Sequence, residues 1–249
     1  MALPSIILPE YKIKLLTTDQ CITIRPLTVR EEKILLMALE GNTKDIIHGI
    51  RQIINNCVKD PINLDDLYFF ELLYIFMHIK KISSGEEIKC KLYDTSDTNI
   101  EYIAVCDLNK DIIITGLDNL KEFDKPIKIT DNDIYVEVKP IKFKDYIKLV
   151  NLFDVNDSDQ MDKDKIKFIY TSMLLTIKKI YNNEESFDPS DYTMEELESF
   201  YESFPQKDKL ELQKKYEYMP RLALRFHYKD KDGNDKFRDL EKVDFNFFG

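Results

Sequence analysis

Residues 11–39, YKIKLLTTDQCITIRPLTVREEKILLMAL, change their hydrophobic period partway, and that change decides the fold class. Apolar and polar residues alternate in Tyr11-Lys12-Ile13-Lys14-Leu15-Leu16 and again in Cys21-Ile22-Thr23-Ile24-Arg25. Thr17-Thr18-Asp19-Gln20 lies between them as a polar turn, so the spacing predicts a β-hairpin. After Arg25-Pro26 the alternation stops. Glu31 stands three positions after Thr28, where its carboxylate can answer the Thr28 backbone amide as a capping box. Ile34, Leu35, Met37, Ala38 and Leu39 then follow helical spacing to a stop at Gly41. A hairpin leading into helices is the opening of an α+β fold.

Downstream, a second helix is expected from about Thr43 through Ile54, before the break at Asp60-Pro61. A third follows with Leu67, Phe70, Leu73, Tyr74 and Met77 on one face, ending before Ser83-Ser84-Gly85. Strand-like runs occupy Ile88–Tyr93, Ile100–Val105, Ile112–Ile114 and Ile134–Val138, which predicts a small central antiparallel sheet. Helical spacing returns at Phe143–Phe153 and, past a polar loop, from Ile166 through Ile177. A polar stretch follows, from Tyr181 to Ser190. Thr193 and Glu196 form another capping-box pair at the head of two short helices separated by Phe204-Pro205. The chain closes with a hairpin, Leu222–Tyr228 and Phe237–Leu240, around the turn Lys231-Asp232-Gly233-Asn234. By pattern the chain divides into 1–85 (hairpin plus helices), 86–140 (antiparallel β region) and 141–249 (helical region with a terminal hairpin), with one compact unit as the alternative.

Composition narrows the function. The chain has 249 residues, 43% hydrophobic, enough for a substantial core. Its formal charge of -10 opposes general binding to nucleic acid or anionic membranes. Cys21, Cys57, Cys90 and Cys106 are too scattered for a disulfide framework, which fits a reducing cytoplasm. The apolar run from Phe69 to Ile79 contains Glu71 and is about half the length a bilayer span requires. The start MALPSIILPEYKIK has no pattern of a secretory signal.

Chemical motifs are sparse. The six glycines form neither a dinucleotide fingerprint nor a P-loop. His48, His78 and His227 fall in different elements without metal-site spacing, and no serine lies in a GxSxG turn. Two acidic loops invite a calcium test. In the loop starting at Asp154, Asp159 stands where an EF-hand needs glycine and Lys165 where it needs glutamate. In the loop starting at Asp230, Gly233 comes too early and is better explained by a hairpin turn. No catalytic residue, metal ligand or cofactor is assigned. A metal-dependent hydrolase using the many carboxylates is the remote alternative.

The run from Arg25 to Glu40, RPLTVREEKILLMALE, resembles the characteristic N-terminal segment of the baseplate hub subunit family of T-even-type contractile-tailed phages. Similar landmarks follow in order: Arg51–Cys57, Leu67–Ile79, Ser84-Gly85-Glu86, Ile180-Tyr181 with Glu184-Glu185, Phe200–Phe204, Tyr218–Leu222 and Phe247-Phe248. The resemblance implies a non-enzymatic protein that helps build the central hub of the tail baseplate through contacts with other hub or tail proteins. It would act in the host cytoplasm during assembly and, if retained, in the virion tail. A transient chaperone absent from the finished virion is the alternative. Candidate contacts are Ile6, Ile7 and Leu8, as a strand that pairs with a partner's sheet or completes its own, and Phe245, Phe247 and Phe248, as aromatic anchors or core residues.

Overall fold

A computed structural model of the chain describes residue 4 and residues 6–18, 20–94, 100–129, 133–153 and 158–240, with side chains from 158 to 164 excepted. It is α+β and divides into two compact units, one of residues 1–64, 70–115 and 221–249, the other of residues 65–69 and 116–220.

The first unit opens with the expected hairpin. Strands β1 (Tyr11–Lys14) and β2 (Cys21–Ile24) pair antiparallel with Ile13 opposite Ile22. Ile13, Ile22 and Ile24 are buried while Lys12 and Lys14 face outward, as period-two alternation requires. Helix α1 (Val29–Leu39) starts at the Thr28 cap, whose backbone amide donates to Glu31 Oε2 at 2.8 Å. Helix α2 (Thr43–Cys57) is capped by Asn42, whose Oδ1 accepts from the Lys44 and Asp45 amides at 2.8 and 3.2 Å. Helix α3 (Phe69–Ser84) buries Phe70, Leu72, Leu73, Ile75, Phe76, Met77 and Ile79. Burial on so many sides marks a core helix rather than an amphipathic one.

Within α3 the buried Glu71, 0% exposed, answers the hairpin rather than solvent. Its Oε1 accepts from the Leu16 and Thr17 amides at 2.7 and 2.9 Å, and its Oε2 from the Thr17 hydroxyl at 2.7 Å. Those are the donors that the β1–β2 turn cannot satisfy across its own strands.

Helices α1 and α2 approach closely because position 49 is glycine. A Cβ on Gly49 would stand 2.7 Å from the Ala38 Cβ, well inside van der Waals contact. Gly49→Ala is therefore expected to cost about 1–3 kcal/mol in overpacking, against about 1 kcal/mol of gained helix propensity. Pairing it with Ala38→Gly should recover most of the packing loss, as read by urea denaturation of the two single variants and the double.

Strands β3 (Glu87–Tyr93), β4 (Glu101–Asp107) and β5 (Ile112–Thr115) follow α3. The chain then enters the second unit, where β6 (Ile127–Ile129) and β7 (Ile134–Val138) begin a separate sheet. Helices α4 (Phe143–Leu152) and α5 (Ser158–Leu174) precede β8 (Ile177–Tyr181) and β9 (Ser186–Phe187), and the sheet order is β6-β7-β8-β9. Helices α6 (Met194–Glu202) and α7 (Gln206–Glu217) complete the unit. Its core gathers Phe123, Ile127, Val136, Leu174, Leu197 and Leu212 among others. Residues 65–69 join it beside α4: the Phe143 amide donates to the Leu67 carbonyl at 2.9 Å, and the Phe69 and Tyr146 rings stack at 3.8 Å.

Returning to the first unit, β10 (Arg221–Lys229) and β11 (Asp235–Leu240) form the terminal hairpin, with Gly233 at φ +81° in its turn. The sheet order is β11-β10-β4-β3, and β5 also pairs with β10, Thr115 opposite Arg221. The strand-like runs between 86 and 140 thus do not make one central sheet. They are shared between two sheets, each completed by later strands. A second difference lies at Ile177, which follows the helical spacing of Ile166, Ile169 and Met173 but begins β8. Helix α5 stops at Leu174; the Leu175 and Thr176 amides bond to Thr171 and Met173 as a closing turn.

Candidate protein-interaction surfaces

The buried carboxylates are engaged in holding the fold. Glu31, 2% exposed, takes hydrogen bonds from the Thr28 amide and hydroxyl and from the Arg25 guanidinium, the last at 3.0 Å. Burial opposes its ionisation, but the bonds from Arg25 and Thr28 more than offset that and hold its pKa down to about 2. Asp145, on α4, pairs with Lys139 at 3.0 Å. Asp111 closes the β4–β5 turn: one oxygen accepts from the Asp107 amide at 2.8 Å, and the other meets His227 Nε2 at 2.9 Å.

An aspartate–histidine pair also serves nucleophilic enzymes, so its surroundings matter. Nearby Cys106 is fully buried, and burial together with Asp111 and Asp107 pushes its thiol up to about 12, far from a reactive thiolate. Of the other histidines, His48 is exposed on α2. His78 packs edge-on to Tyr74 at 4.4 Å, with burial lowering its pKa. The four cysteines are free thiols. Among the described residues no group of three or more His, Cys, Asp or Glu side chains is placed to hold a metal, and no helix is long and apolar enough to cross a membrane. Asp230 is occupied by its own turn, accepting from the Asp232 and Asn234 amides at 3.0 and 2.9 Å.

Of the candidate contacts, Ile6 and Ile7 are 86% and 93% exposed, and Leu8 is half-buried. They precede β1 and lie in no strand, while among the described residues β1 pairs with β2 alone. Phe245, Phe247 and Phe248 lie outside the described residues.

A further surface was not singled out from the sequence. In the second unit, β7, β8, β9 and α6 border an open cavity of about 420 Å³ lined by Ile134, Ile180, Phe187, Tyr192, Leu197 and Phe200 among others. Local capping fixes its walls. Asn182 Oδ1 accepts from the Glu184 and Glu185 amides at 2.8 and 2.7 Å, which turns β8 into β9 and sets Ile180 opposite Phe187. Asp188 Oδ1 accepts from the Ser190 amide at 2.9 Å, and Thr193 with Glu196 caps α6 as the sequence predicts.

Glu196, also on the lining, accepts from the Thr193 amide and hydroxyl at 2.8 and 3.0 Å, both through Oε2. Those bonds lower its pKa, so it is ionised at neutral pH. The legible signal lay in charge: from Asn182 to Gln206 the chain has eight carboxylates and no lysine or arginine, within its longest stretch free of both.

The profile of a protein family described as T4 bacteriophage base plate protein matches residues 8–248. No curated protein and no solved structure matches the chain.

Proposed function

The chain belongs to the T4 bacteriophage base plate protein family, and from that premise we propose that it is a structural component or assembly factor of the baseplate hub, working through protein–protein contacts. The observation that carries this reading is the family match over residues 8–248, which takes in both compact units. The structural engagement of Glu31, Glu71, Asp111 and Asp145 supports a role without catalysis. Its partners are other hub or tail proteins, met in the host cytoplasm and, for a permanent part, kept in the tail.

Phage lacking this chain is expected to accumulate no complete baseplates in infected cells; normal, contractile baseplates from such a mutant would overturn the proposal. Mass spectrometry of purified virions separates a permanent part, recovered stoichiometrically, from a chaperone that leaves.

The contacts proposed for this role are Ile6, Ile7 and Leu8 as an edge strand added to a partner's sheet, and Phe245, Phe247 and Phe248 as aromatic anchors. Because Ile6 and Ile7 are so exposed, replacing both with Asp should leave the melting temperature within about 1 °C while abolishing co-purification of hub partners. Deleting 245–249 makes the parallel test. A large drop in melting temperature would make those aromatics core residues instead.

A further inference from the structure

The cavity bounded by β7, β8, β9 and α6 combines two properties that together define a ligand class. Its floor is apolar and aromatic, with Ile134, Ile180, Phe187, Leu197 and Phe200, and Tyr192 at its side is 40% exposed. Its rim is predominantly acidic, although the Lys179 ammonium lies 5.1 Å from the centre of the Tyr181 ring, which also lines the cavity. Glu184, Glu185, Asp188, Asp191 and Glu195 are exposed on the segments that build it, Glu196 lines it, and no basic residue occurs between Asn182 and Gln206.

An apolar ligand alone would leave this charge unanswered, and a small cation alone would leave the aromatic floor wet. A side chain seated in the cavity with cations on either side of it satisfies both. Glu196 is suited to face such a cation. Both of its capping bonds fall on Oε2, and among the described residues Oε1 has no hydrogen-bond partner.

We propose that this cavity is a docking site for a short segment of a partner protein that inserts one aliphatic or aromatic anchor flanked by lysine or arginine. The proposal deepens the reading of the chain as a protein that works through contacts, and it rests on that reading for the nature of the partner. The cavity supplies the energy of apolar burial. The acidic rim supplies orientation, selects against acidic segments and makes the interaction salt-sensitive.

The test uses the full chain and three blocked peptides, Lys-Lys-Phe-Lys-Lys, Glu-Glu-Phe-Glu-Glu and Lys-Lys-Gly-Lys-Lys, titrated while NMR shifts of Ile134, Ile180, Phe187 and Leu197 are followed. The basic peptide with the anchor should move these resonances, and replacing its Phe by Gly should weaken binding at least about 10-fold. The acidic peptide should leave them unmoved. Glu196→Gln keeps a capping-box residue and removes the charge, so it should weaken the basic peptide by about 2- to 5-fold while lowering the melting temperature only slightly. Tyr192→Ser should weaken it further at unchanged charge.

Equal binding of basic and acidic peptides would overturn the proposal, as would equal binding of the Phe and Gly peptides. So would self-association of the chain that shifts the same resonances without peptide, since the occupant would then be a second copy. Failure of the peptides while the null phage still lacks baseplates removes this docking site and leaves the hub role standing. Peptide binding by a chain whose loss does not affect baseplates removes the hub role instead.

Discussion

Glu71→Ala is expected to lower the stability of the first unit by about 3–5 kcal/mol, among the largest effects of any single substitution in the chain. The carboxylate is fully buried within α3 and accepts three hydrogen bonds, from the Leu16 amide, the Thr17 amide and the Thr17 hydroxyl. Alanine removes the acceptor and leaves two backbone amides of the β1–β2 turn without it. Each hydrogen bond to a charged group is worth roughly 1.5–3 kcal/mol, with strong non-additivity where several share one carboxylate. Glu71→Gln separates geometry from charge. Its oxygen can still accept both amides, but its nitrogen donates, so the Thr17 hydroxyl must turn round to accept. About half the loss should return. Urea denaturation measures the stabilities, and hydrogen exchange at Leu16 and Thr17 locates the damage. A loss under about 1 kcal/mol from Glu71→Ala, with both amides still protected, would show that the hairpin is held by other contacts.

The second large effect is a dependence on pH carried by Glu31. Its folded pKa of about 2 lies below the ordinary glutamate value, so the unfolded chain binds this proton more readily than the folded one. The stabilisation is therefore complete above about pH 4.5 and falls away as pH drops toward 2, amounting to about 3 kcal/mol in all. Glu31→Gln keeps an oxygen for the Thr28 amide while stripping the charge that faces Arg25. It should cost about 2–3 kcal/mol at pH 7 and flatten the acid limb of the stability profile. Stability measured from pH 7 down to 2 in both proteins gives the comparison, and an unchanged slope in the variant would assign the acid sensitivity to other carboxylates.

These two glutamates also show what a sequence exposes and what it conceals. Glu31 was legible because a capping box is local: the spacing from Thr28 predicts the helix start and the partner together. The same held for Thr193 and Glu196 at α6, and for both hairpins, whose alternation spans only a few residues. Glu71 reads only as a polar interruption in an apolar helix. Its ligands lie 54 and 55 residues away, and nothing in the periodicity of α3 points to them. The sharing of strands between two sheets was hidden for the same reason, since β5 finds β10 across the whole of residues 116–220. At Ile177 the local signal itself misled. A single residue in phase with the preceding helix cannot show that the backbone has already turned into a strand. The acidic-rimmed cavity left a compositional trace, the stretch without bases, but its apolar floor required β7, β8, β9 and α6 to come together.

The pairing of Thr115 with Arg221 has a further consequence for the order in which the molecule comes into being. On a ribosome β3, β4 and β5 emerge first, and β10, the strand that joins β4 to β5 in the finished sheet, arrives only after residues 116–220 have been translated. At about 5–20 residues per second, that interval lasts roughly 5–20 s. Throughout it the newborn strands present backbone edges that belong to a neighbour not yet made. A message truncated anywhere before codon 221 would therefore yield more than a protein lacking its end, because it leaves an open seam in the half synthesised first.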